Sequence, residues 1–170
     1  MTLVVCDSSF LILISKLEML DLLIENFEHV MIPQAVYSES VDQGIKLRKM
    51  DAYLVEKRVK DGNITVGSIK DLEEKENLMK NFNMHEGESE SLILYSEKKA
   101  DLFGSDDYKT IKVCKILKIR YFTTPLFIFR CFSNKLLSKD QSLLKFEKLQ
   151  EFGWYKEDLI IEFKNRLENI

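Results

Sequence analysis

Leu3 to Leu20 reads LVVCDSSFLILISKLEML, and the change of rhythm inside it decides the fold class. Leu3 to Cys6 is a short β-branched run, as expected of a buried strand. Asp7-Ser8-Ser9 then supplies a helix start with a serine at the cap, and Phe10 to Lys16 continues as helix. The same alternation recurs downstream. Leu17, Leu20, Leu23, Ile24 and Phe27 define a second helix, and His29 to Ile32 a second strand. Pro33 is expected at the first position of a third helix, where its missing N–H costs nothing, with Ala35, Val36, Glu39 and Ser40 on related faces.

Helix continues with interruptions through Gly44 and the Lys/Arg-rich stretch Ile45 to Lys60, and Asp61-Gly62-Asn63 turns into a short strand, Ile64 to Val66. Asp71 to Phe82 reads as a charged surface helix anchored by Leu72, Leu78 and Met79. A helix from Glu86 to Lys99, a strand from Asp101 to Ser105, a helix from Tyr108 to Leu117 and a strand from Ile119 to Phe122 follow. Thr124-Pro125 opens another helix, and Asp140 to Phe152 and Lys156 to Asn169 are two closing helices separated by Gly153. No repeat, linker or low-complexity tract interrupts this order. The expectation is a single α/β domain over residues 1–170, three-layered, with a central parallel sheet of four to five strands flanked by helices and with C-terminal helices at 139–170.

Composition fits one such domain. The chain has 170 residues, with 25 Lys+Arg against 28 Asp+Glu for a net charge of −3, and only 6 Gly and 2 Pro. Disordered and collagen-like classes are excluded. Cys6, Cys114 and Cys131 are too far apart for zinc spacing or a redox pair, so they read as buried thiols in a reducing cytosol. The apolar stretch Phe10 to Ile14 is broken by Ser15, Lys16 and Glu18, well short of a membrane span of about 20 residues. A cytoplasmic location without membrane insertion is the expectation. The acidic total weakens any claim to non-specific duplex binding.

In parallel sheets, ligands collect outside the carboxyl ends of the strands, which is where acidic residues carry chemistry. Asp7 follows the first strand and Asp106 the fourth, so both fall at that edge. Glu39 lies on the helix after Pro33, on the face of Ala35 and Val36. Glu88 and Glu90 open the helix of HEGESESL, and Asp107 stands beside Asp106. Each also has a bland structural reading: Asp7 and Asp106-Asp107 as helix caps, Glu86, Glu88 and Glu90 as dipole complements, Glu39 as a solvated side chain. Convergence favours chemistry, because no cationic cluster near them in sequence neutralises these acids. Hard divalent cations such as Mg²⁺ or Mn²⁺ would.

VVCDSSFLILISKLEMLDLL, VMIPQAVYSESV, HEGESESLIL and LFGSDDYKTIKVCKILKIRYFTTPLFIF, in this order, resemble the PIN-domain superfamily of metal-dependent nucleases. The closing segment, SLLKFEKLQEFGWYKEDLIIEF, is similar to the C-terminal helices of a subgroup that resembles the toxin ribonucleases of toxin–antitoxin pairs. The resemblance implies a PIN-like fold and hydrolysis of RNA phosphodiesters with one or two Mg²⁺ or Mn²⁺ ions, single-stranded DNA being the other substrate. It places catalytic and metal-binding roles on Asp7, Glu39, Glu88 and Asp106, with Ser9 orienting the first aspartate. Asp107 and Glu90 are further metal candidates. Residues two apart on a regular helix face different ways, so both reach one ion only if the helix start is irregular, and Glu88 takes precedence as the match to the family's acidic position. Two departures stand out. Many PIN domains carry aspartate at the third acidic position, and the stretch 44–83 matches poorly, as an insertion or partner-binding helical arm would.

The resemblance further implies an antitoxin partner and a homodimer. Lys109, Lys112 and Lys115, continued by Lys118, form a drifting basic stripe beside Asp106 that would hold nucleic acid, or else is simply a solvated face. Lys57, Arg58, Lys60, Lys98 and Lys99 are weaker candidates, Trp154 and Tyr155 read as docking aromatics, and His85 reads as a cap. The first strand ends in Asp-Ser-Ser rather than Asp-x-Asp, which disfavours a dehalogenase-like phosphatase. No glycine-rich phosphate loop is present. The rival reading is a catalytically weak PIN-like module that acts through protein or nucleic-acid contacts.

Overall fold

A computed structural model describes residues 2–152 and 154–169. Five strands, β1 (Leu3–Cys6), β2 (His29–Pro33), β3 (Ile64–Gly67), β4 (Leu102–Gly104) and β5 (Tyr121–Phe122), form one sheet in the order β3-β2-β1-β4-β5. Every neighbouring pair is parallel. The first strand is therefore the central one. Val4 faces Val30 across one side and Leu102 across the other, and Cys6 lies opposite Gly104. Val4, Val5 and Cys6 have no exposed surface, as a strand covered on both faces requires.

The chain divides into two compact units, Met1–Phe122 and Thr123–Ile170. The first holds the sheet and helices α1 (Ser8–Lys16), α2 (Leu20–Asn26), α3 (Gln34–Tyr37), α4 (Gln43–Lys46), α5 (Met50–Lys60), α6 (Leu72–Phe82), α7 (Glu86–Lys98) and α8 (Tyr108–Ile116). The second holds α9 (Thr124–Ser133), α10 (Lys139–Glu151) and α11 (Glu157–Glu168). There Phe146 stacks on Phe163 with centroids 5.6 Å apart, tying α10 to α11. Gly153, expected to separate these two helices, lies outside the described residues. No helix among the described residues is long and apolar enough to cross a membrane.

Three local expectations change. Pro33 is the last residue of β2 and the N-cap of α3, in extended conformation (φ −77°, ψ 168°), rather than the first helical residue. The helix after it does not run evenly: Ser38–Asp42 form a π-helical turn between α3 and α4. Leu72 is no anchor for α6, being 61% exposed, and Leu78 is the buried one. The stretch 44–83 supplies edge strand β3, paired with β2, and buries Ala52, Val55, Ile64 and Leu78. It is built into the first unit.

Candidate active site

The carboxyl ends of β1 and β4 carry a continuous polar network. The backbone N–H of Asp7 donates to the Gly104 carbonyl at 3.0 Å, which extends the β1–β4 pairing by one step and brings Asp7 beside Ser105. Asp7 is fully buried. Its Oδ1 accepts from the Ser9 hydroxyl (2.6 Å) and the Phe10 N–H (3.0 Å), and its Oδ2 accepts from the Ser105 hydroxyl (2.5 Å). Asp7 is thus the N-cap of α1 and part of the strand-end network at once.

Both hydroxyls also accept a backbone donor. Ser9 Oγ receives the N–H of Asp106 (2.9 Å), and Ser105 Oγ receives the N–H of Asp107 (3.2 Å). Asp107 in turn caps α8, its Oδ1 accepting from the Thr110 N–H at 2.7 Å. Burial pushes the Asp7 carboxyl up to about 7, against the pull of its three hydrogen bonds, and the nearby charge of Asp106 adds to the rise. No lysine or arginine among the described residues pairs with Asp7.

Glu88 and Glu90 part company at the start of α7. Glu88 is half-buried and accepts from the His85 N–H at 2.9 Å. Burial raises its carboxyl, the charge of Asp107 raises it further, and His85 and Lys109 oppose the shift. Glu90 is fully engaged elsewhere: Oε2 caps α3 through the Ala35 N–H (3.0 Å) and Oε1 pairs with Lys75 (2.8 Å), which also reaches Glu86 (2.5 Å). The expectation that no cation neutralises this acidic run is therefore corrected, because α6 delivers Lys75 to it from outside the motif. Glu39 sits in the π-helical turn, and its carboxylate lies against Gly87, where an added Cβ would meet Oε2 at 2.7 Å. Such turns are frequent at functional sites, since the extra residue re-aims a side chain.

Asp7, Ser9, Asp106 and Asp107 thus share one network, Glu88 joins it electrostatically through Asp107, and Glu39 packs on the first turn of α7. Among the described residues no three His, Cys, Asp or Glu side chains are gathered as a ready-made metal cage. Lys109, Lys112 and Lys115 are exposed on α8, with Lys112 Nζ over the Tyr108 ring at 4.4 Å.

A family model described as a PIN domain matches residues 3–168. The chain belongs to the PIN-domain family. Among solved structures, this PIN domain is similar to PAE2754 from Pyrobaculum aerophilum, with a TM-score of 0.56 and 12% identity over 78% of this chain and 98% of that one. At that identity the likeness speaks for the fold. No curated protein matches. Two features of this PIN domain escape a reading of its sequence. Ser105 looks like the last residue of a strand, and only the serine directly before Asp106-Asp107 hints at its place in the network. Lys75 has no local signal at all, since its partners lie 11 and 15 residues further on.

Proposed function

We propose that this chain hydrolyses RNA phosphodiester bonds with Mg²⁺ or Mn²⁺. The observation that carries the reading is Asp7: a fully buried carboxylate, held on both oxygens, beside the charge of Asp106 and with no cation from the described residues to balance it. An isolated buried charge is costly, so such a site favours either protonation or an incoming cation. The donor chemistry fits a hard divalent ion, all the acids being carboxylate oxygens. Two buried hydroxyls without a partner, Ser40 beside Glu39 and Thr110 three residues after Asp107, flank the candidate acids.

Asp7 and Asp106 would hold the ion, with Glu88 and Glu39 as the ligands from the start of α7 and the π-helical turn. When bound, the ion supplies activation of water and neutralisation of charge at phosphorus. The residues of the chain do the rest. Asp7 is kept from rotating by its two serines, Glu88 is kept near Asp107 by its bond to His85, and exposed Lys109, Lys112 and Lys115 offer cations to the phosphate backbone. RNA is the preferred substrate, and a toxin role opposed by an antitoxin protein rests on the likeness of the closing helices to toxin ribonucleases. The chain would act as a homodimer through its helices, in the cytoplasm, where its buried free thiols stay reduced.

A mixed panel of RNA and single-stranded DNA is incubated with wild type, Asp7→Asn and Asp106→Asn, with Mn²⁺ or with chelator. The expected result is RNA cleavage by wild type with Mn²⁺ alone. Cleavage indifferent to chelator and to both substitutions would overturn the reading. The second reading, a PIN-like binding module with little catalysis, is favoured by the absence of three gathered acids among the described residues. Metal uptake by wild type without cleavage of any substrate would select it.

A further inference from the structure

The Asp7 carboxylate is held from two sides in the same way. On one side Ser9 donates its hydroxyl proton to Oδ1 and accepts the N–H of Asp106; on the other, Ser105 donates to Oδ2 and accepts the N–H of Asp107. Each serine therefore links the side chain of Asp7 to the backbone of one of the two aspartates after β4. We infer that Ser105 is a positioning residue of equal rank to Ser9, setting the distance and orientation between Asp7 and the Asp106-Asp107 pair for metal binding.

The chemistry of the hydroxyl makes the link specific. An ionised carboxylate can only accept, so the one proton of each serine is committed to Asp7, and the lone pairs of Oγ are left for the N–H. Ser105 is fully buried and its own N–H donates to the Phe122 carbonyl at 3.1 Å, so its backbone is fixed by the β4–β5 edge. Ser9 works from the first turn of α1 and Ser105 from the end of β4, two elements that are anchored independently. Removing Ser105 alone would leave Asp7 Oδ2 without its hydroxyl donor and the Asp107 N–H without its acceptor, while the Ser9 bridge remained. Partners that orient a ligand in this way typically change metal affinity by about 10–100-fold when lost.

The inference rests on the metal-dependent reading above, and the experiment keeps the two apart. Wild type, Ser105→Ala, Ser105→Thr and Ser105→Cys are titrated with Mn²⁺ by paramagnetic resonance of the free ion, with circular dichroism as the check on folding. Amide exchange at Asp107 is measured in the metal-free proteins. The expected result is tight Mn²⁺ binding by wild type, weakening of about 10-fold or more in Ser105→Ala with faster exchange at Asp107, and recovery in Ser105→Thr. A merely structural serine would change the melting temperature and leave the Mn²⁺ affinity of the folded protein alone. If Ser105→Ala does not fold, Ser105→Cys, which keeps the size with a weak donor, takes its place. Wild-type Mn²⁺ affinity in folded Ser105→Ala, or in Ser105→Cys where it takes its place, overturns the inference and leaves the nuclease reading standing. Absence of Mn²⁺ binding by wild type overturns both.

Discussion

Glu39 and Gly87 meet where the π-helical turn passes the start of α7, and a Cβ at position 87 would lie 2.7 Å from Glu39 Oε2 and 2.9 Å from Oε1. The obstructing atoms are the far end of a flexible side chain, so the carboxylate can yield while the backbone stays in place. Alanine in place of a helical glycine also gains about 1 kcal/mol of helix propensity. Gly87→Ala is therefore expected to keep or raise the melting temperature while weakening Mn²⁺ binding and RNA cleavage several-fold. Loss of stability with unchanged Mn²⁺ affinity would mean that Glu39 has no part in the site.

Asp7 makes stability depend on pH with an unusual sign. Its carboxyl titrates near 3.8 in the unfolded chain and at about 7 when folded, raised by burial. Between those values the unfolded chain has released the proton and the folded chain has not. Metal-free stability should therefore fall as pH rises from about 4 to about 7, by up to about 1.4 kcal/mol per pH unit, and level off above. Asp7→Asn removes that dependence. Urea melts in chelator across this range should show the variant overtaking wild type at neutral pH, and equal slopes for both would refute the assignment.

Glu90 and Lys75 tie three helices together. Lys75 joins α6 to α7 through Glu86 and Glu90, and Glu90 passes the link on to the first turn of α3. Lys75→Met leaves the largely buried Glu90 carboxylate without its cation and is expected to cost about 1–3 kcal/mol. Glu90→Gln retains an acceptor for the Ala35 N–H and should bind Mn²⁺ within about twofold of wild type, RT ln 2 being a few tenths of a kcal/mol. A tenfold loss in Glu90→Gln would make it a ligand after all.

The lysines of α8 should act through salt. Each exposed lysine that contacts a single-stranded phosphate contributes about 0.7 to the slope of log affinity against log salt. Lys112→Ala and Lys115→Ala are expected to lower RNA affinity a few-fold at low salt and to reduce that slope. An unchanged slope in the double variant would leave this helix face as solvated surface.

The five strands and most helices are readable from apolar runs alone, because a parallel sheet buried on both faces concentrates β-branched and aromatic residues into short segments such as Leu3–Cys6 and Leu102–Gly104. Candidate site residues at strand ends are readable for a related reason: Asp7 and Asp106 each follow an apolar run at its carboxyl end. The π-helical turn around Glu39 is not readable, since its residues keep right-handed helical backbone angles at its edges and no proline or glycine marks the change before Gly44. Nor does spacing separate Glu88 from Glu90. Their fates are decided by Lys75 and by the N-terminus of α3, both distant in sequence. Pro33 shows the limit of a local rule: its fixed φ suits the end of β2 as well as the start of a helix, and the pairing with Gly67 across the sheet decides between them.

The two serine bridges join partners 97 and 98 positions apart. A loop of that length must close before either hydroxyl finds its second partner, so these contacts depend on the pairing of β1 with β4 and not on any local turn. During synthesis the first strand and its helix emerge long before Ser105 and Asp106 exist as chain. Asp7 is made early and completed late: a nascent chain shorter than about 105 residues carries Asp7 with its local partners Ser9 and Phe10 but without the Ser105 donor to Oδ2. Timing is therefore built into the order of the elements: the site forms only when the first unit is close to complete.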